Sequence, residues 1–254
     1  MMLPAVRPLI QVDAGDREAV VMGLQAHGVV IVHGIESREM LHSFCAAFGQ
    51  LRNHPDSDSD GITTIYDRGS TEPGKLAFSS RALALHTDRA SEAMPPHLVV
   101  VWCETTAEAG GESLFCDARA VYLDLLESAS PILAELMSPF LHLPAGCFPL
   151  FDRQNGQIVV RYRSDDLVRI VDGGSSAHEI FVQSVAYHTQ AKLIPAGSAF
   201  VLNNGRVLHG RTGYIGSRNM LRAFVDAVPL TDVPRFGFAP ELHDGSPKES
   251  RSKS

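Results

Sequence analysis

Apolar positions recur along this chain with two different periods, and each change of period marks an element. Asp13 or Asp16 opens a segment in which Val20, Val21, Leu24 and Ala26 fall at helical spacing. Gly28 closes it, because glycine accepts the left-handed conformation that ends many helices. Residues 29–32, Val-Val-Ile-Val, read as a short buried strand. Ser37 caps a second helix carrying Met40, Leu41, Phe44, Cys45 and Phe48, ended by Gly49. Residues 50–80 have the pattern of a loop, with a short strand near 62–66. Strands follow at 97–103 and 113–116, then a helical stretch over 118–137 broken near Pro131. An alternating strand at 157–163 and a helix over 177–192 come next. Strands return at 198–202 and 218–226, and residues 241–254 read as a frayed polar tail.

Strands joined by short loops dominate after residue 85, which favours a β-barrel or double-sheet roll over a doubly wound sheet. No glycine-rich loop follows a strand, so nucleotide-binding readings fall away. At 254 residues the chain can bury a sizeable core, and 1–240 reads as a single domain without internal repeats. Hydrophobic residues make up 44% and charged residues 20%, the profile of an ordinary soluble protein. A net charge of −7 with no cationic cluster argues against nucleic acid as a partner. No apolar run approaches the length of a membrane span, and the N-terminal residues lack the pattern of a signal peptide. The four cysteines show no C-x-x-C spacing, as expected of reduced, mostly buried residues in a cytoplasmic protein. Oligomeric state leaves no trace in the sequence.

Candidate chemistry sits in a short pair, His86-Thr-Asp88, with His209 far downstream. Two imidazoles and one carboxylate suit one face of a divalent iron and leave the opposite face open. With 11 histidines in the chain such pairs arise by chance, and His54-Pro-Asp56 is a second one. The two differ in context. His86 and Asp88 follow the apolar run Ala82-Leu-Ala-Leu85, and a period-two segment places both side chains on one face. His54 and Asp56 lie in a polar, turn-rich run whose later residues fit a calcium loop only loosely, so a solvated loop is the default there. Arg218, Met220, Arg222 and Phe224 share one face of a strand. Buried guanidiniums are costly without an anion, so this face implies bound carboxylates or internal acidic partners. The segment Arg161-Tyr-Arg-Ser-Asp-Asp166 ends a strand and offers both signs of charge to a pocket, or to water.

Five motifs stand in a telling order. They are Phe48-Gly49 ahead of the His-Pro loop, Leu85-His-Thr-Asp88, Gly110-Gly-Glu-Ser113, Asn203-Asn-Gly-Arg-Val-Leu-His-Gly-Arg-Thr212 and Arg218-Asn-Met-Leu-Arg222. Together, over roughly residues 25 to 230, the chain resembles the taurine dioxygenase and clavaminate synthase-like group of iron(II)/2-oxoglutarate-dependent oxygenases. The resemblance implies an α+β, β-centred fold: a double-stranded β-helix (jelly-roll) core with flanking helices. It implies iron(II) held by His86, Asp88 and His209. Ser113 stands where a threonine hydroxyl usually contacts 2-oxoglutarate, and Arg218 matches the arginine that clamps the distal carboxylate of that co-substrate. Arg222 matches an arginine that contacts an anionic group of the substrate in several relatives. The interval from His209 to Arg218 is shorter than in many relatives, so the division of labour between the two arginines stays open.

Relatives acting on amino acids use acidic residues near the region of Arg161, Asp165 and Asp166 to hold an amine, which makes these three substrate-binding candidates. In relatives the 50–80 segment lies near the mouth of the site, in the position of a lid. The expected activity is oxidation of an unactivated C–H bond of a small carboxylate-bearing metabolite, a free amino acid being one candidate, with dioxygen and 2-oxoglutarate as co-substrates. Hydroxylation is the default outcome; desaturation or cyclisation depends on how the substrate is placed. Two other classes stay open. One is a zinc hydrolase, since the same three ligands suit zinc. The other is a non-catalytic binding protein on the same scaffold.

Overall fold

Asp16 accepts a hydrogen bond from the Ala19 N–H (2.9 Å) and Gly28 sits at φ 73°, so the helix between them, Arg17–His27 (α1), begins and stops where its end groups require. The computed structural model describes residues 8–72, 74–128, 131–165, 167–170, 176–227 and 232–240; the tail expected over 241–254 lies outside them. Around α1 the chain forms Gln11–Asp13 (β1) and Val29–His33 (β2), then Arg38–Ala46 (α2), Gly49–Leu51 (β3) and Ile62–Ile65 (β4). A 3-10 turn at Leu76–Phe78 leads to Leu83–His86 (β5), Leu98–Thr105 (β6), Ala109–Gly110 (β7) and Ser113–Asp117 (β8). A mixed insert follows: Ala118–Glu127 (α3), Pro131–Leu136 (α4), Leu141–Leu143 (β9), Gly146–Phe148 (β10), Phe151–Gln154 (β11), Gln157–Val160 (β12), Arg169–Ile170 (β13) and Ser176–His188 (α5). The last strands are Gln190–Lys192 (β14), Ser198–Asn203 (β15), Val207–Arg211 (β16), Tyr214–Ile215 (β17) and Asn219–Ala227 (β18).

Two sheets carry the core. The larger runs β1-β2-β15-β6-β18-β3, with β4 also paired to β18; the smaller runs β14-β8-β16-β5. Only the β1–β2 pairing within these sheets is parallel, among the described residues. Alternation decides the layers. Val30, Val32, Leu98, Val100, Trp102, Leu221, Ala223 and Val225 point to one side, where Val20, Leu24, Leu41 and Phe44 of the first two helices cover them. The intervening residues, among them Ile31, Val99, Val101, Met220 and Phe224, point the other way and meet Phe115 and Val207 of the smaller sheet. The far side of the smaller sheet, through Cys116 and Leu208, packs on α3, α4, α5 and the short hairpins. This is the double-sheet, jelly-roll arrangement flanked by helices, and the gap between the sheets is where inward polar residues must meet. Trp102 secures the helical layer by donating its indole N–H to Ile35 O (2.8 Å).

Three local expectations are corrected. The helix expected over 177–192 stops at His188, and Gln190–Lys192 instead pairs with β8 at the sheet edge. The strand expected over 157–163 ends at Val160, so Arg161 leaves the ladder. Phe48 packs in the core beyond the end of α2 rather than on it. Cys45, Cys103 and Cys116 are buried and free, and Cys147 is free and exposed. Among the described residues no helix is long and apolar enough to cross a membrane.

Candidate metal centre

β16 lies between β8 and β5, and its register sets His209 directly opposite His86. Gly210 makes the approach possible: a Cβ there would lie 2.6 Å from Leu83 O. The two imidazole centroids are 4.6 Å apart. Asp88 lies past the end of β5, so strand alternation does not place it; the turn that carries it is held by other means. Thr87 N donates to Tyr162 O (2.8 Å). Asp88 N donates to Asn204 Oδ1 (2.8 Å), while Asn204 Nδ2 donates to Asp88 O (2.9 Å) and Pro96 O (3.1 Å). One buried amide therefore fixes the Asp88 backbone to the turn that leads into β16. Asn204→Ala is expected to lower stability by about 1–3 kcal/mol through the orphaned backbone groups, checked by denaturant unfolding.

One ligand atom each from His86, Asp88 and His209 lies within 4.8 Å of the others. His86 Nδ1 is 2.9 Å from Ala84 O, which can only accept; Nδ1 therefore carries the proton and Nε2 presents its lone pair. Burial and the neighbouring His209 push His86 down to about 4. Burial alone would raise the Asp88 carboxyl, yet Arg222, His209 and His86 outweigh it and hold the group far below the usual carboxylate range. Arg222 Nη1 donates to Asp88 Oδ1 (2.9 Å). Asp88 Oδ2 lies 3.2 Å from His209 Nε2 but out of hydrogen-bonding alignment. Of the five buried side-chain polar atoms without a hydrogen-bond partner among the described residues, four belong to this region: Asp88 Oδ2, His209 Nδ1, Arg211 Nε and Arg222 Nε. Buried polar atoms are normally satisfied, so this concentration needs a reason. A divalent cation fits the donor set, since a buried carboxylate and two imidazoles each turn one ligand atom toward a common point.

The centre separates two spaces. A cavity of about 410 Å³ opens on one side, walled by His54, Asp56, Lys75, Arg163, Asp165 and Arg222 among others. A recess of about 50 Å³ lies between the sheets, lined by Ser113, His209, Arg211, Arg218 and Arg222 among others. Ser113 is buried and directly opposite Arg211 in the ladder. Arg218 is 8% exposed and, among the described residues, makes no hydrogen bond or ion pair; Tyr214 offers it a ring face at 5.6 Å. Burial and then Arg211 lower it to about 10.

The expected substrate contacts fare unevenly. Asp165 reaches the large cavity, but its carboxylate is gripped by Arg163, whose Nε donates at 2.6 Å and whose Nη2 donates to the other oxygen. Arg161 turns elsewhere: it donates to the carbonyls of Ala90, Glu92 and Ala93 and stacks on Phe148 at 4.1 Å. It does not line the cavity beside the metal centre and instead joins the wall of a second cavity with Arg52 and His97. Asp166 lies outside the described residues. The acidic run from Asp56 is not a calcium loop: Arg38 binds both Asp58 and Asp60, and Lys75 binds Asp56. Arg211, Arg163 and Asn204 escaped the reading from sequence. For Arg211 a signal existed, since it is two residues from His209 and shares its face of β16.

Comparison with known proteins agrees with the architecture. Residues 6–140, more than half of the chain, match the family described as taurine catabolism dioxygenase TauD, TfdA family. The taurine hydroxylase-like protein SAT17 of Stachybotrys chartarum is 25% identical over 112 residues, a stretch covering 41% of this chain and 28% of that protein. An asparagine oxygenase solved with Fe(II), 3-hydroxyasparagine and succinate superposes with a TM-score of 0.64 at 14% identity, covering 81% of this chain and 77% of that one. The non-heme iron oxygenase OrfP, solved with Fe and alpha-ketoglutaric acid, gives a TM-score of 0.63 at 15% identity, covering 80% and 75%. At such identities the likeness concerns the fold. The match across residues 6–140, on a jelly roll of this kind, establishes that the chain belongs to the TauD/TfdA family of dioxygenases.

Proposed function

We propose that the protein is an iron(II)/2-oxoglutarate-dependent oxygenase that oxidises an unactivated C–H bond of a small carboxylate-bearing substrate, a free amino acid being the first candidate. One observation carries the reading: converging ligand atoms of His86, Asp88 and His209 stand between a recess lined by Arg211 and Arg218, both buried, and a 410 Å³ cavity. His86, Asp88 and His209 would hold the iron. Arg218 and Ser113 receive the far carboxylate of 2-oxoglutarate, the oxo-diacid that best answers an unpaired, buried arginine. When bound, the two would supply the oxidising power: 2-oxoglutarate would lose carbon dioxide and take one atom of dioxygen to become succinate, and the other atom would enter the substrate's C–H bond as a hydroxyl.

The remaining residues bind and orient. Arg222 keeps Asp88 ionised by donating to its Oδ1, and its Nε, which has no partner among the described residues, would meet an anionic group of the substrate. Met220 and Phe224 on the same strand keep water from the gap between the sheets. Arg163 and Asp165 present both signs of charge at the cavity wall, matching a zwitterion. The amino-acid ligands of the asparagine oxygenase add support for that substrate class.

Loading the chain with ferrous iron and 2-oxoglutarate in the absence of air should produce a visible charge-transfer band that zinc does not give. The twenty common amino acids are then screened for stimulated succinate release. A band with no responsive amino acid removes only the substrate class; no band and no succinate remove the whole reading.

A further inference from the structure

Arg211 is an arginine without an acid. It is 5% exposed, and burial lowers its pKa. Its Nη2 donates to Ser79 O (2.6 Å) and Arg81 O (2.6 Å), and its Nη1 donates to Ala77 O (3.4 Å). Tyr214 lies against the guanidinium at 4.9 Å. Among the described residues no carboxylate stands within ion-pair distance; Asp67 acts on it only through space. Its Nε is buried with no partner, and the residue lines the same recess as Arg218 and Ser113. A desolvated cation resting on neutral carbonyls, next to a second unpaired cation, is an arrangement that an anion relieves.

The three carbonyls belong to one strap, residues 77–81, that runs from the 3-10 turn into β5. The strap and its ends wall the large cavity through Lys75, Leu76, Ala77, Phe78 and Ala82. Ala77 and Leu83 line the recess as well, so both spaces share this wall.

Resting on the 2-oxoglutarate reading above, we propose that Arg211 is a positioning residue coupling the two spaces: it pins the 77–81 strap by its terminal nitrogens while its Nε answers the diacid in the recess, so that co-substrate binding sets the wall against which the substrate lies. An anion that fixes the guanidinium fixes the three carbonyls with it. The wall is then firm only when the co-substrate is present.

Trypsin reads the strap directly, because Lys75 and Arg81 flank it. The full chain, loaded with manganese(II) as a redox-silent stand-in for iron, is digested with and without 2-oxoglutarate. Cleavage after Lys75 and Arg81 is followed by mass spectrometry, and co-substrate binding is measured separately by calorimetry. At ten times its dissociation constant, 2-oxoglutarate is expected to slow both cleavages in the wild type by about tenfold, the factor mass action gives. In Arg211→Gln the strap should be cut faster without ligand and, at equal saturation, be protected less than about twofold. Arg211→Lys keeps the charge but not the fork, and should restore part of the protection. If Arg211→Gln does not fold, Arg211→Lys carries the comparison, and protection equal to wild type there overturns the coupling. So does equal protection in Arg211→Gln at equal saturation, or unchanged cleavage without ligand. Binding without protection in the wild type removes the coupling and leaves the functional reading intact. Absence of binding in the wild type removes both.

Discussion

Asp88→Ala is expected to abolish succinate release and to lower affinity for ferrous or manganous ion by more than about 100-fold, since altering even the groups that support a ligand costs about 10–100-fold. The substitution does more than delete a donor. Arg222 Nη1 loses its acceptor while the side chain, 11% exposed, stays largely enclosed beside the cavity. A buried pair broken on one side is strongly destabilising, by roughly 3–5 kcal/mol, so the melting temperature should fall as well. Asp88→Asn separates the two effects. It keeps the size of the side chain and an oxygen for Arg222, so the chain should fold near normally and still bind metal poorly. Bound-metal content after dialysis and succinate yield are the measurements, and wild-type turnover by either variant defeats the ligand assignment.

Arg218→Met is expected to move function and stability in opposite directions. Removing a charge that binds a buried carboxylate costs about 3 kcal/mol, which corresponds to roughly a 100-fold higher requirement for 2-oxoglutarate. In the free chain, however, Arg218 is a desolvated cation with no acidic partner among the described residues and with Arg211 repelling it. Burial and that repulsion lower its pKa to about 10, so charging it opposes folding in the ligand-free chain. A methionine of similar length removes that opposition, and the ligand-free variant should melt at the same temperature as wild type or higher. Wild-type saturation behaviour in Arg218→Met excludes this residue as the co-substrate anchor. A loss of stability without loss of affinity recasts it as a packing residue.

The large sheet was legible because its strands obey simple rules. Residues 29–32, 97–103 and 198–202 are runs covered on both faces, and β-branched side chains with flanking turn residues announce them. The caps Asp16, Ser37 and Gly28 carry their own chemistry and needed no tertiary information. Legibility failed where elements are short or where tertiary pairing overrides local preference. Gln190–Lys192 continues a helical pattern in sequence but is taken by the free edge of β8. β16 carries a histidine, a glycine and an arginine in five residues, so no strand was read there, although it is one of the interior strands of the smaller sheet. The position of Asp88 depends on Asn204, over a hundred residues away, a link that no local pattern contains. The orientation of Arg161 was equally invisible, because the carbonyls that hold it, those of Ala90, Glu92 and Ala93, lie far off in the sequence.

The protein's own hydrogen bonds hold two of the three donors in place, and the strand register sets His209 opposite His86. The Asn204 amide ties the Asp88 turn to the entry of β16, Ala84 orients His86, and Arg222 orients the carboxylate. Affinity alone does not choose the ion for two imidazoles and a carboxylate, because copper and zinc bind such donors more tightly than ferrous iron does. Mismetallation is the consequence to anticipate: the ion supply at the moment the chain matures, rather than the strength of the site, decides how much of the protein is active.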